Sequence, residues 1–274
     1  MKPEDISLLV SLCRARAGLR VAPEKTYLIE SRLAPVARRE NYASISDMLG
    51  AVRTQRDERL IWAVVEAMTA GESAFFQDRA TFIALRNEIL PRLAAARGGA
   101  PVRIWSAACG AGQEVYSLAM LADELSEDYP ALRVELAASD LAERSLEKAQ
   151  SGLYSAFEVQ RGLPIRKLVR YFEKEGDNWR IAPRIRQQVR WRRINLVAGL
   201  SGLGNFDVVV CRNTLSHMTP PAQKAVLEAL AQVAAPDGYL ILGVKESCEA
   251  TDAFLPAQDM PGVFARNPAY RAAA

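Results

Sequence analysis

Histidine and cysteine are scarce in this sequence. The one histidine, His217, and four widely separated cysteines at 13, 109, 211 and 248, without a CxxC pair, speak against a Cys/His zinc site. Thiols without a disulfide pattern predict a reducing compartment. No apolar run is long enough to cross a bilayer. The opening Met-Lys-Pro-Glu-Asp carries acidic residues where a secretory signal needs a basic start and an apolar core. The expectation is a cytoplasmic protein with no membrane insertion. Charge of one sign is lacking too: 35 Lys and Arg against 32 Asp and Glu leave +3, too little to imply nucleic-acid binding. No internal repeat or low-complexity segment is present. What remains is an ordinary globular composition, half hydrophobic and a quarter charged, over 274 residues, enough for one large or two modest domains.

Residues 3 to 90 read as helical. Ile6, Leu9, Val10, Cys13 and Ala17 follow helical spacing, and Gly18 is a stop. Thr26 is expected to cap a helix to about Asn41, with Lys25, Arg32, Arg38 and Arg39 on its polar side. That basic face is either a solvated surface or a dock for an acidic partner helix. Ser44 or Ser46 opens a third helix and Asp57 a fourth. After a loop of small and polar residues, a helix from about Arg79 to Arg97 leads to Gly98-Gly99-Ala100-Pro101, a natural domain boundary.

Beyond it, strand candidates at 102–107, 132–138, 188–194, 206–211 and 238–244 alternate with helical stretches, the signature of a doubly wound α/β domain. The segment 171–193, basic and rich in β-compatible residues around a Gly176-Asp-Asn turn, reads as a small antiparallel insert.

The stretch Val102–Ser117 is a strand, a turn with Gly110 and Gly112, and the start of a helix, where glycines let the backbone approach a ligand. Asp140 ends the next strand, where an acidic residue suits a ribose diol. Asn195 and Leu196 follow the third strand, within reach of an adenine edge, and Asn213 ends the buried strand from Phe206. Taken singly, Asp140 could be a helix cap and Asn213 a turn residue; Cys109 and Cys211 read as packing residues. Together, in strand order, the polar positions favour a nucleoside-bearing cofactor. Without a full GxGxxG or a Walker lysine, S-adenosylmethionine fits better than NAD or ATP.

Trp105-Ser-Ala-Ala-Cys, Gly112-Gln-Glu-Val-Tyr-Ser, Ala138-Ser-Asp, Ser145 to Tyr154, Phe206-Asp-Val-Val-Val-Cys-Arg-Asn213 and Pro236 to Gly243 with Glu246-Ser247 resemble the CheR-type chemoreceptor methyltransferases. The resemblance covers nearly the whole chain. It implies a Rossmann-like class I methyltransferase domain at 101–274, with the insert as its β-subdomain, behind an all-α receptor-docking domain at 1–90 and a linker helix to about 100. It also implies methyl transfer from S-adenosylmethionine to glutamates on the cytoplasmic helical bundle of chemoreceptors, docked through Arg32, Arg38 and Arg39, by a monomer. The implied cofactor set is Gly71, Ser73, Gly110, Gly112, Glu114, Asp140, Asn195, Leu196 and Asn213.

The acceptor side departs from the family pattern. Its Asn-Glu-Thr/Ser-x-Phe-Phe-Arg reads Gly71-Glu-Ser-Ala-Phe-Phe-Gln77, and its Cys-Arg-Asn-x-x-x-Tyr reads Cys211-Arg-Asn-Thr-Leu-Ser-His217. A carboxylate is already ionised and needs no general base, so catalysis rests on alignment. Loss of one charged hydrogen bond costs about 1.5–3 kcal/mol, a slowing rather than an abolition. Two readings stand. In one, the enzyme works with Gln77 and His217 as donors and Arg79 supplying the missing charge. In the other, a weakened paralogue binds the cofactor or a signalling partner.

Overall fold

The computed structural model describes residues 1–69, 71 and 73–271. Four helices come first: α1 (Pro3–Ala17), α2 (Thr26–Arg39), α3 (Ile45–Gln55) and α4 (Glu58–Thr69). Each buries one stripe, led by Leu9 and Cys13, Ile29 and Leu33, Met48 and Leu49, and Leu60 and Val64, in a shared core. Gly18, at φ 65, ends α1 as expected. Thr26 is the first residue of α2 rather than its cap, its hydroxyl donating to the Pro23 carbonyl. Ser44 caps α3, accepting the Asp47 N–H at 3.0 Å.

The helical stretch 79–97 consists of α5 (Arg79–Ala84), a π turn (Leu85–Ile89) and α6 (Leu90–Arg97). Phe82, Leu85, Ile89, Leu90 and Leu93 bury against the sheet of the second domain, not against α1 to α4. The helical domain therefore ends near residue 69, earlier than the expected 90, because an apolar stripe packs where its partner surface lies, whatever glycines follow it.

The second domain continues with β1 (Val102–Ser106), α7 (Gln113–Asp128), β2 (Val134–Asp140), α8 (Glu143–Ser151), β3 (Leu153–Ser155), α9 (Ala156–Gln160), α10 (Ile165–Tyr171), β4 (Phe172–Glu175), β5 (Asn178–Ile181), α11 (Pro183–Arg186), β6 (Val189–Arg193), β7 (Phe206–Val210), α12 (Pro220–Val233), β8 (Ala234–Ile241), β9 (Phe254–Pro256) and β10 (Val263–Arg266). The main sheet has the order β6-β2-β1-β7-β8-β10-β9. Its first five strands are parallel, while β10 and β9 form an antiparallel edge not foreseen from sequence. Helix α7 covers one face and α12 the other, giving two cores.

The insert is antiparallel, in the order β3-β5-β4, but its boundaries differ from the expected 171–193. It recruits Leu153–Ser155 from upstream, and Val189–Arg193, expected both as the third strand of the main sheet and as the end of the insert, is the parallel edge of the main sheet. Period-two alternation is the same in both settings, so pairing partner and direction depend on tertiary contacts.

The two domains meet through a short antiparallel bridge. Thr219 donates to the Gly18 carbonyl and Arg20 to that of His217, both at 2.8 Å. No helix among the described residues is long and apolar enough to cross a membrane.

Candidate functional site

Strand order reverses at β1, with β2 on one side and β7 on the other, and the loops leaving these strands part to form a crevice. A cleft opens there, spanning about 930 Å³ with the solvent-filled mouth included. Gly71, Ser73, Gln77, Gly110, Glu114, Asp140, Asn195, Leu196, Asn213 and His217 all line it, so ten of the twelve positions singled out from sequence converge on one space. Ala17 and Leu19 roof it from the helical domain.

Asp140 organises the nucleotide-like end. Its carboxylate accepts the Gly110 N–H at 2.8 Å and the Ala142 N–H at 2.9 Å, holding the turn after β1 against the end of β2. Burial pushes this carboxyl above its usual range, opposed by those backbone donors. Leu141, Ile194, Leu196 and Met218 supply apolar walls nearby. Asn195 reaches the cleft with its amide already committed, donating to the Arg16 carbonyl at 2.8 Å and accepting from Val197. It joins the domains at the cleft rim.

Gly110 and Gly112 do different work. Gly110, at φ 53, lies on the cleft wall. Gly112, at φ 90, is not on that wall; a Cβ there would lie 2.8 Å from Cβ of Ala149 and 3.1 Å from the Tyr154 hydroxyl oxygen. Its bareness lets α7 start against α8, and Tyr154 donates to the Ala111 carbonyl at 2.7 Å beneath the same turn. As a cofactor-contacting residue, Gly112 is thus displaced by a packing role.

Arg79 departs furthest from expectation. It is exposed at the start of α5 and does not line the cleft. The cation that enters is Arg212, from the loop after β7, with its side chain only 3% exposed. Its guanidinium donates to Glu114 Oε1 at 2.6 Å, to the Gln77 carbonyl at 2.9 Å and to Asp78 Oδ2 at 3.3 Å, while its buried Nε has no partner. Burial raises the Glu114 carboxyl and Arg212 counters it. A sequence signal for Arg212 existed: a charge directly after the apolar run Val208–Cys211 must be paired once buried. Which group it would meet was not readable.

Facing Arg212 is the loop of Gln77, with Phe76 at φ 45 and Asp78 at φ 70 on either side. Two departures of this kind within three residues, one at an aromatic residue, need support from the surroundings. The Phe76 N–H donates to Ser117 Oγ at 3.0 Å, the Phe75 N–H to the Arg161 carbonyl at 3.0 Å, and Arg212 holds the Gln77 carbonyl. Gln77 Oε1 accepts from the Asn213 amide at 3.4 Å across the cleft mouth. His217, exposed, completes that mouth.

On α2, the basic set divides. Arg32 donates to the Met68 carbonyl at the end of α4, and Arg39 pairs with Glu40 at 2.8 Å. Arg38 and Lys25 are exposed, beside Tyr27 and Leu28.

Two family models match: the CheR methyltransferase all-alpha domain over residues 4–69 and the CheR methyltransferase SAM binding domain over 71–261. The chain is 35% identical over 267 residues to the chemotaxis protein methyltransferase 1 of Pseudomonas aeruginosa, covering 96% of this chain and 97% of that one. It is 36% identical over 255 residues to the chemotaxis protein methyltransferase 1 of Vibrio cholerae, covering 91% and 92%. With the chemotaxis protein methyltransferase of Vibrio parahaemolyticus it shares 35% over 254 residues, covering 91% and 92%.

The residues present suit S-adenosylmethionine. Asp140 is an acceptor-only carboxylate with lone pairs to spare for a diol, the apolar walls suit an adenine ring, and Arg212 and Glu114 offer opposite charges for an amino-acid end. No cluster of metal-ligating side chains competes among the described residues. With both domains matched and the relatives aligned nearly end to end, the chain belongs to the CheR methyltransferase family and its cofactor is S-adenosylmethionine.

Proposed function

We propose that this protein transfers a methyl group from S-adenosylmethionine to glutamate side chains on the cytoplasmic helical domain of chemoreceptors, acting as a monomer. The observation that carries the reading is the continuity of one cleft. It runs from Asp140 and Gly110 at one end, past Arg212 and Glu114, to Gln77, Asn213 and His217 at a solvent-open mouth.

When bound, the cofactor supplies an electrophilic methyl group on a sulfonium. Asp140 accepts hydrogen bonds from its ribose hydroxyls, and Leu196, Leu141 and Met218 enclose its base. Glu114 and Arg212 bracket the amino-acid portion. An acceptor carboxylate is ionised at neutral pH and needs no base. The protein aligns it, with the amide of Gln77, the amide of Asn213 and the ring of His217 as donors at the mouth. Arg79 lies outside the cleft, and Arg212 is engaged with Glu114 and Asp78, so the Gln77 side chain and the His217 ring take the place of the family's arginine and tyrosine. An amide at residue 77 holds a carboxylate without over-stabilising it, which favours orientation over tight capture. Receptor docking falls to the exposed side of α2, where Lys25 and Arg38 flank Tyr27 and Leu28.

The test is transfer of labelled methyl from S-adenosylmethionine to purified receptor cytoplasmic fragments, including those of the same organism. Base-labile label on glutamates is the expected result. Cofactor binding without any transfer would sink the reading.

A further inference from the structure

Outside the cleft wall, one carboxylate is hydrogen-bonded in a way that the cofactor chemistry does not use. Glu246, in the loop after β8, accepts three backbone N–H groups. Oε2 receives those of Asn213 at 2.8 Å and Gly243 at 2.9 Å, and Oε1 receives that of Ser216 at 3.0 Å. Two of the donors belong to the loop after β7, which carries Asn213, Thr214 and His217 to the cleft. An ionised carboxylate is acceptor-only and can meet all three donors at once; an amide cannot.

The backbone around this hub leaves little freedom. Asn213 has φ 55, left-handed backbone that asparagine tolerates better than most residues. Gly243 lies so close that a Cβ there would be 2.6 Å from Asn213 Oδ1 and 2.9 Å from Glu246 Oε2. The β8 loop thus presses bare backbone against Asn213 while Glu246 holds the Asn213 N–H. The short 3-10 turn Leu215–His217, which follows, has its middle N–H fixed by the same carboxylate.

We propose that Glu246 is a positioning residue for methyl transfer, and this rests on the function proposed above. It does not touch the cleft. It acts through the loop 213–217, setting where the Asn213 amide and the His217 ring meet the acceptor. The cofactor-binding groups Asp140 and Gly110 sit on other loops and Glu114 on the first turn of α7, and Glu246 hydrogen-bonds to none of them.

Glu246→Gln keeps the shape but places an NH2 group against a backbone N–H. Glu246→Asp keeps the charge but loses one methylene of reach. Three quantities are measured in each variant: cofactor affinity by calorimetry, kcat and KM for transfer to a receptor fragment, and amide exchange at Asn213, Ser216 and Gly243. For both variants we expect faster exchange at those amides, kcat lower by about 10–100-fold, and cofactor affinity within about twofold of the parent. Parental kcat despite faster exchange would overturn the proposal, as would unchanged exchange in both variants. A fall in cofactor affinity matching the fall in kcat would also overturn it, because Glu246 would then serve the cofactor. If the parent protein transfers no methyl to any fragment, the function reading fails by itself. The exchange measurement still decides whether the hub exists.

Discussion

Arg212 and Glu114 form a 2.6 Å ion pair on the wall of the cleft, joining the loop after β7 to the first turn of α7. Arg212 also holds the Gln77 carbonyl and Asp78, so one guanidinium ties the first turn of α7 to the loop of Gln77. Arg212→Ala leaves Glu114 without its cation. Breaking a buried pair this way costs about 3–5 kcal/mol, a fall of roughly 6–20 °C in Tm for a domain of this size. A melt shifted by less than a few degrees would show that the pair is dispensable for the fold. Arg212→Lys, which keeps the charge but loses the fork, falls between the two.

Asp140 and Glu114 set the pH dependence. Burial raises both carboxyls above their ordinary values of about 3.9 and 4.3. The folded protein therefore binds these protons more tightly than the unfolded chain. On acidification through the raised values toward the ordinary range, the two groups favour the folded state. Cofactor affinity moves the opposite way, because protonation removes acceptors that a ribose diol and an ammonium need. The stabilisation of the melt by saturating S-adenosylmethionine should shrink as the pH is lowered from neutral toward the ordinary carboxylate range. An increment that stays constant over that range would exclude a direct role for these carboxylates. Asp140→Asn should weaken binding about 10–100-fold at neutral pH, the worth of one charge-assisted hydrogen bond.

Gly112→Ala tests the packing role given to that residue. A methyl group there meets Ala149 at 2.8 Å on a left-handed backbone, whereas Gly99, also left-handed, faces open space. Gly99→Ala should cost about 1–2 kcal/mol from the backbone alone, and Gly112→Ala about 1–3 kcal/mol more from overpacking. Equal losses in chemical denaturation would mean that α8 yields freely.

Gln77→Arg combined with His217→Tyr restores the residues found in the family pattern. If Gln77 and His217 meet the acceptor, kcat/KM for a receptor fragment should rise by roughly tenfold, the value of one hydrogen bond becoming charge-assisted. Unchanged or lower activity would place the acceptor elsewhere.

Arg38→Glu with Tyr27→Ser alters the exposed side of α2 without touching its buried stripe. KM for the receptor fragment should rise several-fold while the affinity for S-adenosylmethionine stays unchanged. An unaltered KM would move the docking surface off this helix.

The strand and helix pattern from residue 102 onward was legible because the central strands carry short apolar runs bounded by turn chemistry, as in Val208-Val-Val-Cys211. The positions that line the cleft were legible for a related reason. A doubly wound sheet puts every loop after a parallel strand at the same edge, so Gly110, Asp140, Asn195 and Asn213 had to share it. The roles within that edge were less so. Gly112 and Gly110 look alike in sequence, and only the nearness of Ala149 separates them.

The sequence by itself determined most of the elements, a helical segment ahead of an α/β one, the sheet edge that carries the cleft and the family, since these follow from local periodicity and from residue identity at turns. The tertiary structure alone decided that Leu153–Ser155 joins the small antiparallel sheet, that 79–97 packs into the second domain, and that Arg212 enters the cleft while Arg79 faces solvent. Each of those outcomes depends on which distant surface or charge a segment meets. Burial and pairing energies arise between groups far apart in the chain, and nothing local records them.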